Sequence, residues 1–519
     1  MTISTHRDAP RLQGPAAPRA PWRDWLALAL LMFPVLLVAV DNTALTFALP
    51  AIAQSLNPSG VQLLWIVDAY PLVLAGLLVC MGSLGDRIGR RRLLLTGGLG
   101  FAALSAATAF APTAEWLIAG RAALGFFGAM LMPSTLSLIR NIFAEPNRRR
   151  LAVAIWAAGF SGGAALGPIF GGWLVEHYWW GAVFLVAVPL MLPLIALGPV
   201  LIPESKNPEP GKVDFPSIVL SLLVMVPLVY GIKEVATEGV SGTGLGAMAF
   251  GLAMAVVFVR RQLRLPHPLL DMSLFRNRVF SMAITANVLA LFSFNGFILF
   301  LAQHLQLLEG MTPSAAGVAM IPALVATVVA GLVVVPLVRK VRPGFVVGTG
   351  LAFSSAGYSL VTFGNHDGGP TLLLAALLIL ALGVGTAETI SNDLILGAAP
   401  AHKSGAAAAI SETGYEVGAL LGTAVLGSIL TASYQHNLHL PAAVDGTATE
   451  AARHSAGETL AGAMDLAAGL PAPLADAVRQ AAAAAFDSGV HVTAAIGLVL
   501  MATAAVCAAV VLRKVPKAA

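Results

Sequence analysis

Gly82-Ser83-Leu84-Gly85-Asp86-Arg87-Ile88-Gly89-Arg90-Arg91-Arg92 joins two long apolar runs, about 62–82 and 93–111. Each run is long enough to cross a bilayer as a helix, because ~20 residues at ~1.5 Å rise cover a ~30 Å hydrocarbon core. A link this short makes the two helices antiparallel neighbours. Its glycines Gly82, Gly85 and Gly89 let helix ends and a tight turn approach another backbone closely. One carboxylate, Asp86, stands among Arg87, Arg90, Arg91 and Arg92 at a helix end, where orphan backbone groups and the helix dipole act on charge. Four arginines in one short loop also assign it to the cytoplasmic side. Taken alone, these features fit an ordinary positive-inside turn as well.

Composition sets the class. The chain of 519 residues is 57% hydrophobic and 11% charged, with mean hydropathy +0.83. A soluble domain carries about 25% charged residues, so this is an integral membrane protein with many spans. The net charge of +4 does not point to nucleic acid, because the basic residues recur in short loops between apolar runs. The two cysteines, Cys80 and Cys507, lie in apolar runs and imply no disulfide framework. No short apolar stretch with a cleavage site precedes the first span, so no cleaved signal peptide is expected.

Fourteen spanning segments are expected, at about 25–49, 62–82, 93–111, 115–140, 150–174, 180–202, 215–233, 243–263, 279–303, 314–338, 345–364, 370–397, 404–433 and 490–512. Of the 30 Lys and Arg, 26 fall in one set of connections and three, Lys233, Arg453 and Arg479, in the other; Arg121 lies within a span. That asymmetry places both termini in the cytoplasm. The chain divides into a tail (1–24), a six-helix half (25–202), a linker with two extra helices (203–278), a second six-helix half (279–513) and a short tail (514–519). The loop Val338-Arg339-Lys340-Val341-Arg342 sits in the second half where the opening loop sits in the first. Residues 434–489 form one long external connection, read either as a solvated loop or as short amphipathic helices, for example over 473–486.

The pattern G-x-L-x-D-R-x-G-R-R-R between two spans resembles the signature loop between helices 2 and 3 of the major facilitator superfamily. Fourteen helices resemble its drug:proton antiporter branch, which includes the quaternary-ammonium efflux pumps. The resemblance implies an all-α membrane fold of two six-helix halves, and a gating role for Gly82, Asp86, Arg87, Gly89 and Arg90.

Charges inside spans are costly and usually functional. Asp41, in Val40-Asp41-Asn42-Thr43, resembles the span-1 carboxylate of that branch; the alternative is a structural carboxylate bonded to Asn42 or Thr43. Asp68 lies toward the outside of span 2, where it either lines the exit and contacts substrate or meets lipid headgroups. Arg121, followed by Gly125 and Gly128, resembles the span-4 motif associated with proton transfer. There it would tune a nearby carboxylate, since it cannot itself deprotonate readily; the alternative is snorkelling to the interface. Gly159, Gly163, Gly167 and Gly171 recur every four residues on one face of span 5. With Pro168 and Gly172 they resemble the antiporter motif.

Span 13 holds Ser411-Glu412-Thr413-Gly414-Tyr415-Glu416. Glu412 and Glu416 are one turn apart on one face. In a low-dielectric cavity two such carboxylates resist ionising together, so one holds a proton while the other attracts a cation. Tyr415 offers a ring for a cation–π contact. The resembled pumps carry an acidic pair around a Tyr at this place. Glu388 and Asp393 in span 12 belong either to a cytoplasmic vestibule or to the interface.

The expectation is a proton-coupled antiporter of the cell inner membrane that exports lipophilic cationic drugs, such as quaternary ammonium compounds. Asp41, Arg121 and Glu416 would couple protons; Glu412, Glu416, Tyr415 and Asp68 would bind substrate. Partners are protons, cationic drugs and membrane lipids, with no nucleic acid, ATP, metal or cofactor, and the chain is expected to work as a monomer. The alternatives are export of a neutral or anionic metabolite, which leaves the span-13 acids unexplained, and a membrane-embedded sensor or enzyme, for which no catalytic constellation is visible.

Overall fold

A chain that crosses a bilayer must satisfy its backbone polar groups internally, and this one does so with helices alone among the described residues. The computed structural model describes residues 21–143, 145–206, 214–238, 241–265, 268, 270–338, 340–364, 369–399, 404–444 and 447–516. The N-terminal tail to residue 20, segment 207–213 and the side chains of Asp86 and Pro168 lie outside that description.

The helices are, in order, α1 (Pro21–Leu56), α2 (Gly60–Ile88), α3 (Arg90–Thr108), α4 (Ala114–Ile142), α5 (Pro146–His177), α6 (Ala182–Leu185) and α7 (Ala187–Leu201). Then come α8 (Phe215–Glu238), α9 (Gly242–Arg264), α10 (Arg278–Gln303), α11 (Pro313–Leu337), α12 (Pro343–Phe363) and α13 (Gly369–Ala398). The last are α14 (Ser404–Leu421), α15 (Gly427–Asn437), α16 (Glu450–Glu458), α17 (Leu460–Ala468) and α18 (Ala472–Val511). A wide π turn, Gly422–Leu426, joins α14 to α15.

Local sequence explains where these helices start. Ser59 and Gln62 form a reciprocal capping box on α2. Thr113 caps α4, Asn277 caps α10, and Thr312 caps α11 just before Pro313. Among the described residues, twelve helical stretches are long and apolar enough to cross a membrane. The third and fifth expected spans lie on α3 and α5, which fall outside that set. α3 opens on Arg90-Arg91-Arg92, and α5 carries Arg148, Arg149 and Arg150 in its first turns.

Two apolar cores form. One draws on α1 to α7, with Leu31, Phe101, Leu117 and Leu194 wholly buried. The other draws on α10 to α18, with Phe280, Phe300, Leu380 and Met501 wholly buried. They interlock, because Phe47 of α1 belongs to the second core and Leu299 of α10 to the first. The hairpin α8–α9 lies outside both. It is clamped by Arg261, whose Nη2 is 2.7 Å from Asp214 Oδ1, and by Ser217, whose hydroxyl donates to the same carboxylate. Burial would raise the Asp214 carboxyl, but the hydrogen bonds from Arg261 and Ser217 outweigh it and hold the group below its ordinary range.

The segment after α15 is folded. Glu458 of α16 accepts from the backbone N of Gly60 at 3.1 Å, and the Tyr434 hydroxyl donates to Ala456 O at 2.9 Å. The hairpin α16–α17 thus ties the second half to the α1–α2 turn. The last helix starts at Ala472 rather than near 490. The alanine run 481–485 favours helix, and Ala475, Val478, Ala482, Ala485 and Phe486 bury one face of this part of α18.

The glycine face of α5 lies against α1. A Cβ at Gly171 would stand 2.7–2.9 Å from Ala44 atoms, backbone included, and one at Gly163 would stand 2.8 Å from Ala39 Cβ. A Cβ at Gly159 would meet only the far end of Met32, a flexible side chain. Gly171→Ala is therefore expected to lose about 1–3 kcal/mol by overpacking. Gly159→Ala should stay within about 0.5 kcal/mol of the parent or gain slightly from helix propensity. Thermal unfolding of the two variants in detergent checks the difference; equal losses would remove the close α1–α5 contact.

Candidate functional site

The two halves enclose a central cavity of about 100 Å³. Arg121, Thr43 and Val67 reach it from the first half, and Phe294, Tyr415 and Glu416 from the second. The site can be built from α1 outward. Gly163 and Gly167 of α5 pack against Ala39 and Thr43, the turns on either side of Asp41. Thr43 spends its hydroxyl on α1's own backbone, donating to Ala39 O at 3.1 Å.

The carboxylate of Asp41 accepts from Arg121 Nη1 at 2.6 Å. Arg121 is 1% exposed and Asp41 6%. Arg121 therefore does not snorkel. Its Nε donates to Ile66 O at 3.2 Å, and its guanidinium lies 4.6 Å from the Tyr70 ring centroid. Arginine suits this place because its fork serves a carboxylate and a carbonyl while its flat face covers a ring. The Tyr70 carbonyl lies 2.5 Å from where a Cβ on Gly125 would stand, so that glycine lets α4 bring Arg121 up to α2.

Across the cavity, α14 carries Glu416, buried to 5%, with Glu412 half-buried one turn earlier. Among the described residues Glu416 has no ion-pair partner. Glu388 of α13 is half-buried. Ser411 donates to Asn392 Oδ1 at 2.6 Å, holding the middle of α14 to α13. Asp393 is exposed.

Asp68 is neither at the surface nor among the residues lining the cavity. It is wholly buried, 3.0 Å from Lys233 Nζ, and it accepts from the Thr423 hydroxyl. This corrects the sequence assignment of Lys233 to an outer loop. α8 runs on to Glu238, and Lys233 points inward with 0% exposure, its Nζ 4.2 Å from the Trp65 ring centroid. A lysine at the end of an apolar run usually snorkels; only the buried acid in span 2 hinted at a partner.

At the arginine loop the backbone of Gly89 has φ +112°, and a Cβ there would meet the Glu204 carboxylate at 2.6 Å. Glu204 accepts from the Arg91 backbone N at 3.0 Å, and its Oε2 lies 3.8 Å from Arg91 Nε and 3.9 Å from Arg92 Nε. Arg90 Nη1 reaches Pro133 O at 3.5 Å, whereas Arg87 is exposed. The sequence reading missed Glu204. Its signal was a carboxylate just after the sixth span, placed to offset the basic start of α3.

The Major Facilitator Superfamily profile matches residues 31–423. The chain belongs to the Major Facilitator Superfamily, in its drug:proton antiporter branch. It is 51% identical over 500 residues to the multidrug efflux pump LfrA of Mycolicibacterium smegmatis, covering 96% of this chain and 98% of that one. It is 38% identical over 475 residues to the methyl viologen resistance protein SmvA of Salmonella typhimurium, covering 90% and 93%. A solved bacterial homolog of the human lysosomal transporter Spinster, inward-facing and unoccupied, superposes with TM-score 0.66 at 18% identity, covering 96% and 99%. The superfamily consists of transporters, so the chain is a transporter and not an enzyme.

For this superfamily member the Asp41–Arg121 pair makes a stability prediction. Arg121→Ala strands a buried carboxylate and is expected to cost about 3–5 kcal/mol. Arg121→Lys keeps the charge but loses the bond to Ile66 and the flat contact with Tyr70, for about 1–2 kcal/mol. Thermal denaturation in detergent should rank wild type above Arg121→Lys above Arg121→Ala; an Arg121→Ala protein as stable as the parent would contradict the pairing.

Proposed function

We propose that the chain exports lipophilic organic cations, quaternary ammonium compounds among them, in exchange for protons by alternating access between its two halves. The observation that carries this reading is Glu416, a buried carboxylate lining the inter-half cavity with no ion-pair partner among the described residues. Tyr415 and Phe294 line the same space and offer ring faces to a cation. The names of LfrA and SmvA support drug efflux, and methyl viologen is itself a bis-quaternary cation. A neutral or anionic cargo would gain nothing from Glu416.

In this reading α3 and α5 also cross the membrane, giving fourteen spans: six in each half and two in the linker α8–α9. Their lengths, 19 and 32 residues, suffice at ~1.5 Å per residue. The positive-inside asymmetry puts both termini on the cytoplasmic side of the inner membrane. In the same reading Asp86, Arg87 and Arg90, beside the Gly89–Glu204 contact, serve as the cytoplasmic gate.

The exchange runs through one guanidinium. While Asp41 is ionised it holds Arg121, and Glu416 is left to bind a cation. When a proton from outside reaches Asp41 the pair breaks. Arg121, which lines the same cavity, then competes for Glu416 and displaces the cation. Export of one monovalent cation against an inside-negative potential costs about 2.3 kcal/mol per 100 mV, and each entering proton returns as much. In a cycle where Glu416 takes up a proton in place of Arg121, two protons enter per cation and the potential contributes as well as the pH gradient. Glu412 widens the cation site by one helical turn.

Glu416→Gln is expected to abolish proton-driven accumulation of ethidium and methyl viologen in inverted vesicles, at least tenfold below wild type. Glu412→Gln should weaken or narrow substrate uptake without ending it. A Glu416→Gln protein that concentrates either dye at the wild-type rate under an imposed pH gradient would overturn the cation site.

A further inference from the structure

Lys233 belongs to α8, one of the two helices beyond the paired halves, yet its ammonium lies in the seam between those halves. Val229 of α8 packs with Leu72 of α2 and with Leu420 and Ala424 of the second half. One turn along, Lys233 reaches Asp68 Oδ2 at 3.0 Å and the face of Trp65 at 4.2 Å, both on α2. Neither charged side chain has any exposure. A lysine with no exposure is costly to bury unless it is paired and hydrogen-bonded, so a plain covering helix would not carry one.

Asp68 has a second tie. It accepts from the hydroxyl of Thr423, in the π turn of the second half. π turns break the regular ladder and recur at functional places. We propose that Lys233 is a positioning residue of the transport cycle, supplying the counter-charge that lets Asp68 bind Thr423 across the seam and hold closed the end of the bundle that carries α16–α17.

The geometry makes this bond reversible. The Thr423 hydroxyl has one proton, and the Leu420 carbonyl at 2.9 Å and the Ala419 carbonyl at 3.3 Å are waiting acceptors. An ionised carboxylate outbids a carbonyl while the seam is shut, since charge-assisted bonds are about twice as strong as neutral ones. When the seam opens, Thr423 falls back on its own helix and Asp68 keeps Lys233. Neither half strands a polar group in a dry environment, so the bond can form and break in each cycle. Without Lys233, Asp68 would be an unpaired buried charge, and taking up a proton would weaken its hold on Thr423. The linker is thereby a working part of the closure.

This inference rests on the alternating-access reading, so its test needs neither substrate nor a proton gradient. Glu176 of α5 and Ser314 of α11 are hydrogen-bonded across the two halves, and Gly172 abuts the Pro313 backbone beside them. In full-length protein lacking Cys80 and Cys507, the pair Glu176→Cys and Ser314→Cys reports closure through oxidative cross-linking. Lys233→Met is expected to lower the cross-linked fraction several-fold, and Thr423→Val to lower it in the same direction. Lys233→Arg should retain it. Asp68→Asn/Lys233→Met should recover most of it, because an asparagine oxygen accepts from Thr423 without a counter-charge. Should Lys233→Met fail to fold, Thr423→Val, which removes the seam bond and leaves the buried ion pair intact, carries the test: an unchanged fraction there overturns the proposal. An unchanged fraction in Lys233→Met overturns the proposal, as does a double variant no better than the single one, which would make Lys233 a packing residue. Cross-linking that follows the expected order while dye export fails would sink the substrate assignment and leave the closure standing.

Discussion

The bond between Asp41 and Arg121 is the constraint around which the first half is arranged. Neither ion is tolerable alone in a dry bundle, and each is held by a different helix. To bring them within 2.6 Å, α1, α2 and α4 must converge at one depth. Glycine makes that possible twice. Gly125 lets α4 lie on the α2 backbone, and the glycines of α5 press α1 toward the centre from behind. A feature that reads as four small residues in a row thus fixes the position of a carboxylate on another helix.

A second buried pair, Asp68 with Lys233, repeats the logic with a different division of labour. The first pair joins helices of one half and borders the cavity through Arg121. The other joins a half to the linker and, through Thr423, to the opposite half. In membranes the hydrophobic effect does not hold helices together, because lipid tails are as apolar as Leu. Contacts between halves must therefore come from close packing and from a few polar bonds. Asp68, bonded to Thr423 across the seam, serves that purpose.

Much of this architecture was legible in the sequence, because span length, loop charge and glycine spacing are consequences of bilayer thickness and helix geometry. The fourteen apolar runs all lie on helices, and Asp41, Arg121 and Glu416 stood out as charges where charge is expensive. What escaped was pairing. Lys233 sat at the edge of an apolar run, where chemistry allows either snorkelling or burial, and only the position of Asp68 in three dimensions decides between them. Glu204 was hidden in the same way, since a carboxylate after a span says nothing about which helix start it will face. The segment 473–486, left open between loop and short helix, runs unbroken into the last span as α18, because the alanine run 481–485 is too weakly apolar to register as a span and yet is an excellent helix former.

The length of α18 has a practical side. Forty residues at ~1.5 Å each make a rod of ~60 Å, about twice the hydrocarbon thickness. Its N-terminal part therefore stands clear of any detergent belt, braced by α17. Transporters of this size usually show an electron microscope little beyond a featureless micelle. Here the chain carries its own folded landmark, by which single particles can be oriented and to which an antibody fragment can be fitted without touching the cavity.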